Sequence, residues 1–278
     1  MTPLRFGPAG IPYSSPKPGL LEGIKHCATL GLNAMELEFV RGVYLKEETA
    51  REARPLAEKL GIALTVHAPY YINLNSEKEE TVKASMQRLL LSCKMGGLAG
   101  ATSVAVHAAY RHATPAQELT RIVHERCVEV QERVDQEHLP APIKVAPELA
   151  GKHSQWGTLE EVLELAQDKR LGFCIDFAHH HAKTNGSLTT QKAFDKLLEA
   201  IEKTDSNHLK NMHIQCAGIQ YSEKGERNHL PFQHPQNTLN WKALAQSLQA
   251  FDVRGTVIVE SPAQEDDALL LKNHYDSI

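Results

Sequence analysis

The chain has no cysteine framework: its five cysteines, Cys27, Cys93, Cys127, Cys174 and Cys216, are odd in number, widely spaced and never arranged as C-x-x-C. That excludes a disulfide scaffold and a cysteine zinc site, and leaves them as small buried hydrophobes. No apolar run is long enough to span a membrane. The opening MTPLRFGPAG lacks a basic segment followed by an apolar stretch and a small-residue cleavage site, so a cytoplasmic location is expected. Thirty basic residues stand against 34 acidic ones, a formal charge of −4, so no global basic field recruits nucleic acid. Neither a G-x-S-x-G nucleophile elbow nor a G-x-x-x-x-G-K phosphate loop occurs, which removes serine acyl transfer and P-loop nucleotide hydrolysis. Low-complexity segments and linkers are absent too. With 278 residues and 42% hydrophobic composition, residues 1–278 read as one domain with one substantial core.

What is present is a repeating unit of strand and helix. Strands are predicted at Leu4–Gly7, Asn33–Phe39, Ile62–His67, Thr102–His107, Ile143–Glu148, Leu171–Asp176, Leu209–His213 and Thr256–Glu260. Helical spacing follows each: Leu20 to Leu30, stopped by Gly31; Lys46–Leu60, which Pro55 must start or kink; Ser76–Met95, ending at Gly96-Gly97. Thr114 followed by Pro115 reads as a helix entry running to about Val134, and Thr158 with Glu161 has the spacing of a capping box. Further helices are expected near Ser187–Ile201, Asn240–Leu248 and Ala263–Tyr275. Eight such pairs in this length predict an α/β fold, a single (β/α)₈ TIM barrel. A doubly wound sheet would carry a glycine-rich turn opening directly into a helix, and Gly7-Pro8-Ala9-Gly10 is followed by proline-containing turns instead.

Acids and histidines recur at the ends of the apolar runs: His67, His107, Glu148, Asp176, His213 and Glu260, with His179 and His229 in nearby loops. Side chains at the C-terminal tips of parallel strands converge on the barrel mouth, so a metal cluster at the C-terminal face is expected. A lone histidine at a strand end is more often structural; two successive strands ending in histidine favour metal. Glu260 after Val257-Ile258-Val259, and Asp176 after Phe173-Cys174-Ile175, are too costly to desolvate without a cation or several donors. In the triplet His179-His180-His181, His179 is expected to fold back to the pocket, His180 and His181 to lie outside it. His26, His124 and His234 read as ordinary. A carboxylate-rich cluster able to hold two ions can bring a shared water towards neutrality and stabilise a leaving oxygen, which phosphodiester hydrolysis needs.

The segments RFGPAGIP, GLNAMELEFVRG, VHAPYYINL, PELAGKHSQWGTLEEVL, CIDFAHHHA, MHIQCAGIQYSEKGERNHLPF and IVESP together resemble the endonuclease IV group of abasic-site (AP) endonucleases, family 2, in its shorter archaeal-type branch, within the xylose isomerase-like barrel superfamily. The resemblance implies three zinc ions: one on His67, His107 and Glu148; a second sharing Glu148 with Asp176, His213 and Glu260; a third on His179 and His229. It implies Glu148 and Glu260 as catalytic carboxylates. Arg227 stands where the family has an aspartate, and Glu226 is the nearest acid that could replace it. Implied too are cleavage 5′ to abasic sites in damaged double-stranded DNA by a monomer without membrane attachment, with Tyr70 filling the gap beside the swung-out lesion and Arg41 as a further DNA contact. The alternative is a metal-dependent sugar isomerase or epimerase on the same barrel, for which Glu148, Asp176, His213 and Glu260 suffice; the additional histidines favour the nuclease.

Overall fold

The computed structural model describes residues 3–278. Eight parallel strands form the barrel: β1 (Leu4–Pro8), β2 (Ala34–Glu38), β3 (Ala63–His67), β4 (Ser103–Val106), β5 (Lys144–Pro147), β6 (Cys174–Asp176), β7 (Met212–Cys216) and, after a two-stranded insertion, β10 (Gly255–Val259). The insertion is an antiparallel hairpin of β8 (Gly218–Ser222) and β9 (Gly225–Leu230). The barrel strands group as β1-β10-β7-β6 and β2-β3-β4-β5. Two single parallel bridges close them into a ring, Ala9 to Glu36 on one side and Glu148 to Cys174 on the other.

At the first seam the backbones approach so closely that a Cβ on Gly7 would lie 1.8 Å from the Ala34 carbonyl oxygen, so only glycine fits. Asn33 Oδ1 accepts from the Phe6 amide there at 2.7 Å, which supplements the sparse ladder.

Helices α1 (Leu20–Thr29), α2 (Glu47–Leu60), α3 (Glu79–Ala99), α4 (Ala116–Gln136), α5 (Leu159–Ala166), α6 (Phe177–Lys183), α7 (Gln191–Thr204), α8 (Trp241–Ala250) and α9 (Glu265–Ser277) pack around the ring. Among the described residues, no helix is long and apolar enough to cross a membrane. The principal core lies between strands and helices, with Phe6, Phe177, Phe194 and Trp156 nearly or fully buried. Inside the ring, a separate small cluster of Ala105, Ala146 and Cys174 leaves room for polar side chains.

Several boundaries depart from the sequence reading. Helix α3 runs through Gly96-Gly97 to a left-handed Gly100, because a Cβ at Gly96 would press on Val66 and one at Gly97 on Leu139, both at 2.7 Å. Those glycines serve close helix packing rather than a stop. Pro55 lies within a continuous α2. Pro115 occupies the position before α4 rather than its first turn, and the Thr114 hydroxyl is taken up by Asn75 instead of capping. The capping box of Thr158 and Glu161 is formed as expected. A short helix, α6, replaces the expected polar turn after Asp176, which caps it through the His179 amide at 2.8 Å.

Candidate metal centre

His67 is the last residue of β3, and His107 and Glu148 follow β4 and β5 directly, so three neighbouring strands deliver them to one side of the mouth. His67 Nδ1 donates to the Ala68 carbonyl at 2.7 Å, which fixes the tautomer and leaves Nε2 as a lone pair in the neutral ring. That Nε2 lies 3.1 Å from Glu148 Oε2. Two lone pairs that close require a proton or a metal ion between them. Burial opposes charge on His67, yet Glu148, Glu38 and Glu260 push its pKa well above the ordinary value. His107 Nε2 is 3.7 Å from Glu148 Oε1, and burial lowers its pKa to about 4 against the pull of Glu148.

On the opposite side, α6 turns His179 back over the mouth. Its Nδ1 lies 2.9 Å from Glu148 Oε1 and 3.2 Å from Asp176 Oδ2, and contacts the Leu149 carbonyl at 3.1 Å. Its Nε2 faces His229 Nε2 at 3.4 Å and Glu226 Oε2 at 3.5 Å. His229 is oriented by donating from Nδ1 to the Glu260 carbonyl at 3.1 Å. Two nitrogen ligands at zinc distance in a tetrahedral site stand roughly 3.3 Å apart, so the pair His179 and His229 has the separation a shared ion requires. Glu226, carried by β9, faces His179 from that side.

The carboxylates show the same need. Fully buried Glu148 meets no well-aligned donor at either oxygen, and Asp176 Oδ2 and Glu38 Oε1 are likewise unpartnered. Burial raises the Glu148 pKa, but His107, His179 and His67 more than reverse this and hold it well below the ordinary value. Asp176 and Glu260 are raised, first by burial and then by neighbouring acids. Among the described residues, three groups have ligand atoms close enough to share an ion: His67, His107 and Glu148; Asp176, His179 and His229; Glu36, Glu38 and Glu260. The residues therefore fit a multi-ion centre.

His213 is set against Glu36 rather than beside Asp176 and Glu260. Strand β7 continues three residues past His213 to Cys216, and it is Gln215 that pairs in register with Asp176. His213 lies one inward-facing position deeper, where Nε2 is 2.7 Å from Glu36 Oε2 and Nδ1 is 3.0 Å from the Ser103 hydroxyl. Gln215 donates to Glu36 at 2.8 Å and accepts from the Cys174 thiol at 3.0 Å. The inward position at the level of Asp176 is thus an amide, and the expected ligand set of Glu148, Asp176, His213 and Glu260 is not assembled.

Glu36 and Glu38 were passed over in the sequence. Their signal is the alternation Glu36-Leu37-Glu38-Phe39, which directs both acids to one face of β2. Burial raises the Glu38 pKa to about 8. His229, expected in a loop, lies on β9. His181 is buried, held by Thr238 and the Leu188 amide outside the cluster. His26 bonds Ser14 and His124 bonds Asp168, away from the mouth.

Tyr70 is half exposed beside the cluster, with its ring centroid 6.0 Å from His107 in a stacked arrangement and 5.4 Å from His67. Arg41 is exposed on the loop after β2. Five of the seven tyrosines, Tyr13, Tyr44, Tyr70, Tyr71 and Tyr110, are exposed on the loops that follow β1 to β4, at the same face as the cluster.

Residues 24–275 match the family described as xylose isomerase-like TIM barrel. An uncharacterized protein of Methanocaldococcus jannaschii is 35% identical over 277 residues, covering 99% of this chain and 98% of the relative. Endonuclease IV from Thermus thermophilus is a structural neighbour with TM-score 0.72 at 18% identity, covering 98% of each chain. A D-tagatose 3-epimerase-like protein has TM-score 0.72 at 19% identity, covering 98% of this chain and 96% of its own.

Proposed function

We infer that this chain, which belongs to the xylose isomerase-like TIM barrel family, is a zinc-dependent phosphodiesterase that cleaves DNA on the 5′ side of abasic sites. The observation that carries the reading is Glu148, a buried carboxylate with His67 and His107 on one side and His179 on the other. One carboxylate joining two histidine-bearing groups is the arrangement that lets neighbouring ions act on the two ends of one displacement.

His67, His107 and Glu148 would hold one ion, and His179, His229 and Glu226 or Asp176 a second, with Glu260 beside Glu38 available to a third. When bound, such ions supply a nucleophile near neutral pH and take up charge on the leaving oxygen. The chain's own residues orient the centre: the Ala68 and Glu260 carbonyls fix the rings of His67 and His229, and Asp176 fixes the start of α6. Tyr70, which stacks beside His107, would fill the space of a missing base, and the tyrosines of the mouth would give stacking faces to nucleic acid. When bound, the ions would give the mouth a local positive charge against an overall charge of −4.

A second reading, sugar isomerisation or epimerisation, is favoured by Glu36, Glu38 and Glu260, three carboxylates grouped at the ends of β2 and β10. The deciding experiment is incision of a duplex carrying one abasic-site analogue, by zinc-stripped and zinc-restored protein. Cleavage 5′ to the lesion that is lost and regained with metal supports the nuclease. Its absence in zinc-replete protein, together with turnover of ketoses, would replace it with the sugar reading.

A further inference from the structure

Next to the cluster is a cleft of about 200 Å³ lined by Tyr70, Ile72, His107, Tyr110, Lys152 and Gln155, among others. Its wall is rigid. The loop of residues 151–157 is tied to the segment after β4 by Arg111 N–H to Ser154 at 2.8 Å and Trp156 N–H to Ala109 at 3.0 Å. From the other side the β8–β9 hairpin is tied to it by Glu226 N–H to Gly151 at 3.1 Å. Gln155 is only 8% exposed, and its Oε1 is buried without a hydrogen-bond partner, a cost natural proteins rarely leave unanswered. Lys152 is exposed at the same wall, which Glu226 also lines.

A volume near 200 Å³ is below the roughly 300–1,000 Å³ of pockets for drug-sized ligands, so it admits a base, with the sugar and phosphate left along the rim. Aromatic walls select a flat face. A buried amide oxygen selects an N–H or O–H donor, and Gln is a matched partner for the adenine edge. The Lys152 ammonium at the rim, beside the Glu226 carboxylate, can meet a phosphate.

We propose that Tyr70, Tyr110, Lys152 and Gln155 form a subsite for one intact nucleotide beside the metal centre, its base edge donating to Gln155 and its phosphate meeting Lys152. This rests on the nuclease reading for its biological substrate, but it makes a prediction that does not need turnover. Deoxyadenosine 5′-monophosphate and ribose 5-phosphate are titrated by calorimetry into zinc-loaded wild type and into Gln155→Met, Lys152→Ala and Tyr110→Ala, with zinc content and Tm recorded. The nucleotide is expected to bind wild type at least tenfold more tightly than the sugar phosphate, and each variant to weaken it roughly tenfold. Lys152→Ala, at an exposed position, keeps the test valid if Gln155→Met fails to fold.

Unchanged nucleotide affinity in Lys152→Ala and Tyr110→Ala, equal affinity for the sugar phosphate, or no millimolar binding to wild type would each overturn the subsite. Incision of abasic duplex separates the two claims. Nucleotide binding that depends on Lys152 in a protein without incision removes the nuclease and keeps the subsite. Incision with KM unchanged in the variants removes the subsite and keeps the nuclease.

Discussion

At the scale of single residues, the mouth is a set of candidate ligand atoms whose charges are balanced by protons or by cations. His107→Ala is expected to lower bound zinc and abolish incision while leaving far-ultraviolet circular dichroism unchanged; zinc stoichiometry equal to wild type would remove His107 from the ligand set. Glu38 gives a pH prediction. Burial, with Glu36 and Glu148 adding repulsion, raises its pKa to about 8 from an ordinary 4.5, so the folded state favours the neutral acid. Its contribution to stability is therefore full below about pH 4.5 and is lost as pH climbs through 8. In metal-free protein, Glu38→Gln should gain thermal stability over wild type progressively across that window. A difference in Tm that is constant with pH would show that Glu38 does not titrate there.

At this scale the sequence was most legible where chemistry contradicts its surroundings. Glu148, Asp176 and Glu260 announced themselves by ending apolar runs, and His67 and His107 by ending successive strands. His213 misled because Leu209–His213 also reads as an apolar run with a polar end, whereas the strand continues to Cys216. Glu36 and Glu38 escaped because they sit within a predicted strand rather than at its tip. Glu226 was visible only through family resemblance: nothing local distinguishes it from Glu223, and three-dimensional pairing of β8 with β9 brings it to His179.

At the scale of elements, periodicity recovered the eight barrel strands and the long helices, and lost the pieces too short or too polar to show it. The seven-residue α6 and the β8–β9 hairpin carry His179, Glu226 and His229, so the least legible elements bear one whole side of the site. Their conformations depend on tertiary contacts, among them Asp176 capping α6 and Gly151 accepting from Glu226. The α5 capping box is local chemistry and was readable. Thr158→Ala should cost about 1 kcal/mol in urea-induced unfolding. A loss under about 0.3 kcal/mol would mean that Glu161, held also by Arg111 in a two-pronged ion pair, secures the helix start alone.

For the whole molecule, the candidate ligands straddle the two half-sheets. Glu38, His67, His107 and Glu148 belong to the β2-β3-β4-β5 half, while Asp176, His179, His229 and Glu260 are carried by or follow the other. Ions held between them stabilise the folded chain by mass action, about 2.7 kcal/mol at a hundredfold excess over Kd. For a chain of this size that corresponds to a Tm raised by roughly 5 °C. Zinc restoration to chelator-treated protein should produce this rise, and identical melting with and without zinc would refute binding between the halves.

The two closures of the ring differ from the rest of its wall, since each relies on one bridge where neighbouring strands share a ladder. In amide exchange the ring is thus expected to fray along two lines, at Gly10 and at Leu149, whose N–H groups cross to Glu36 and Cys174. Glu36 and Glu148, the acids at these lines, reach into the mouth, so slowed exchange there would report a filled metal centre without any substrate having been found.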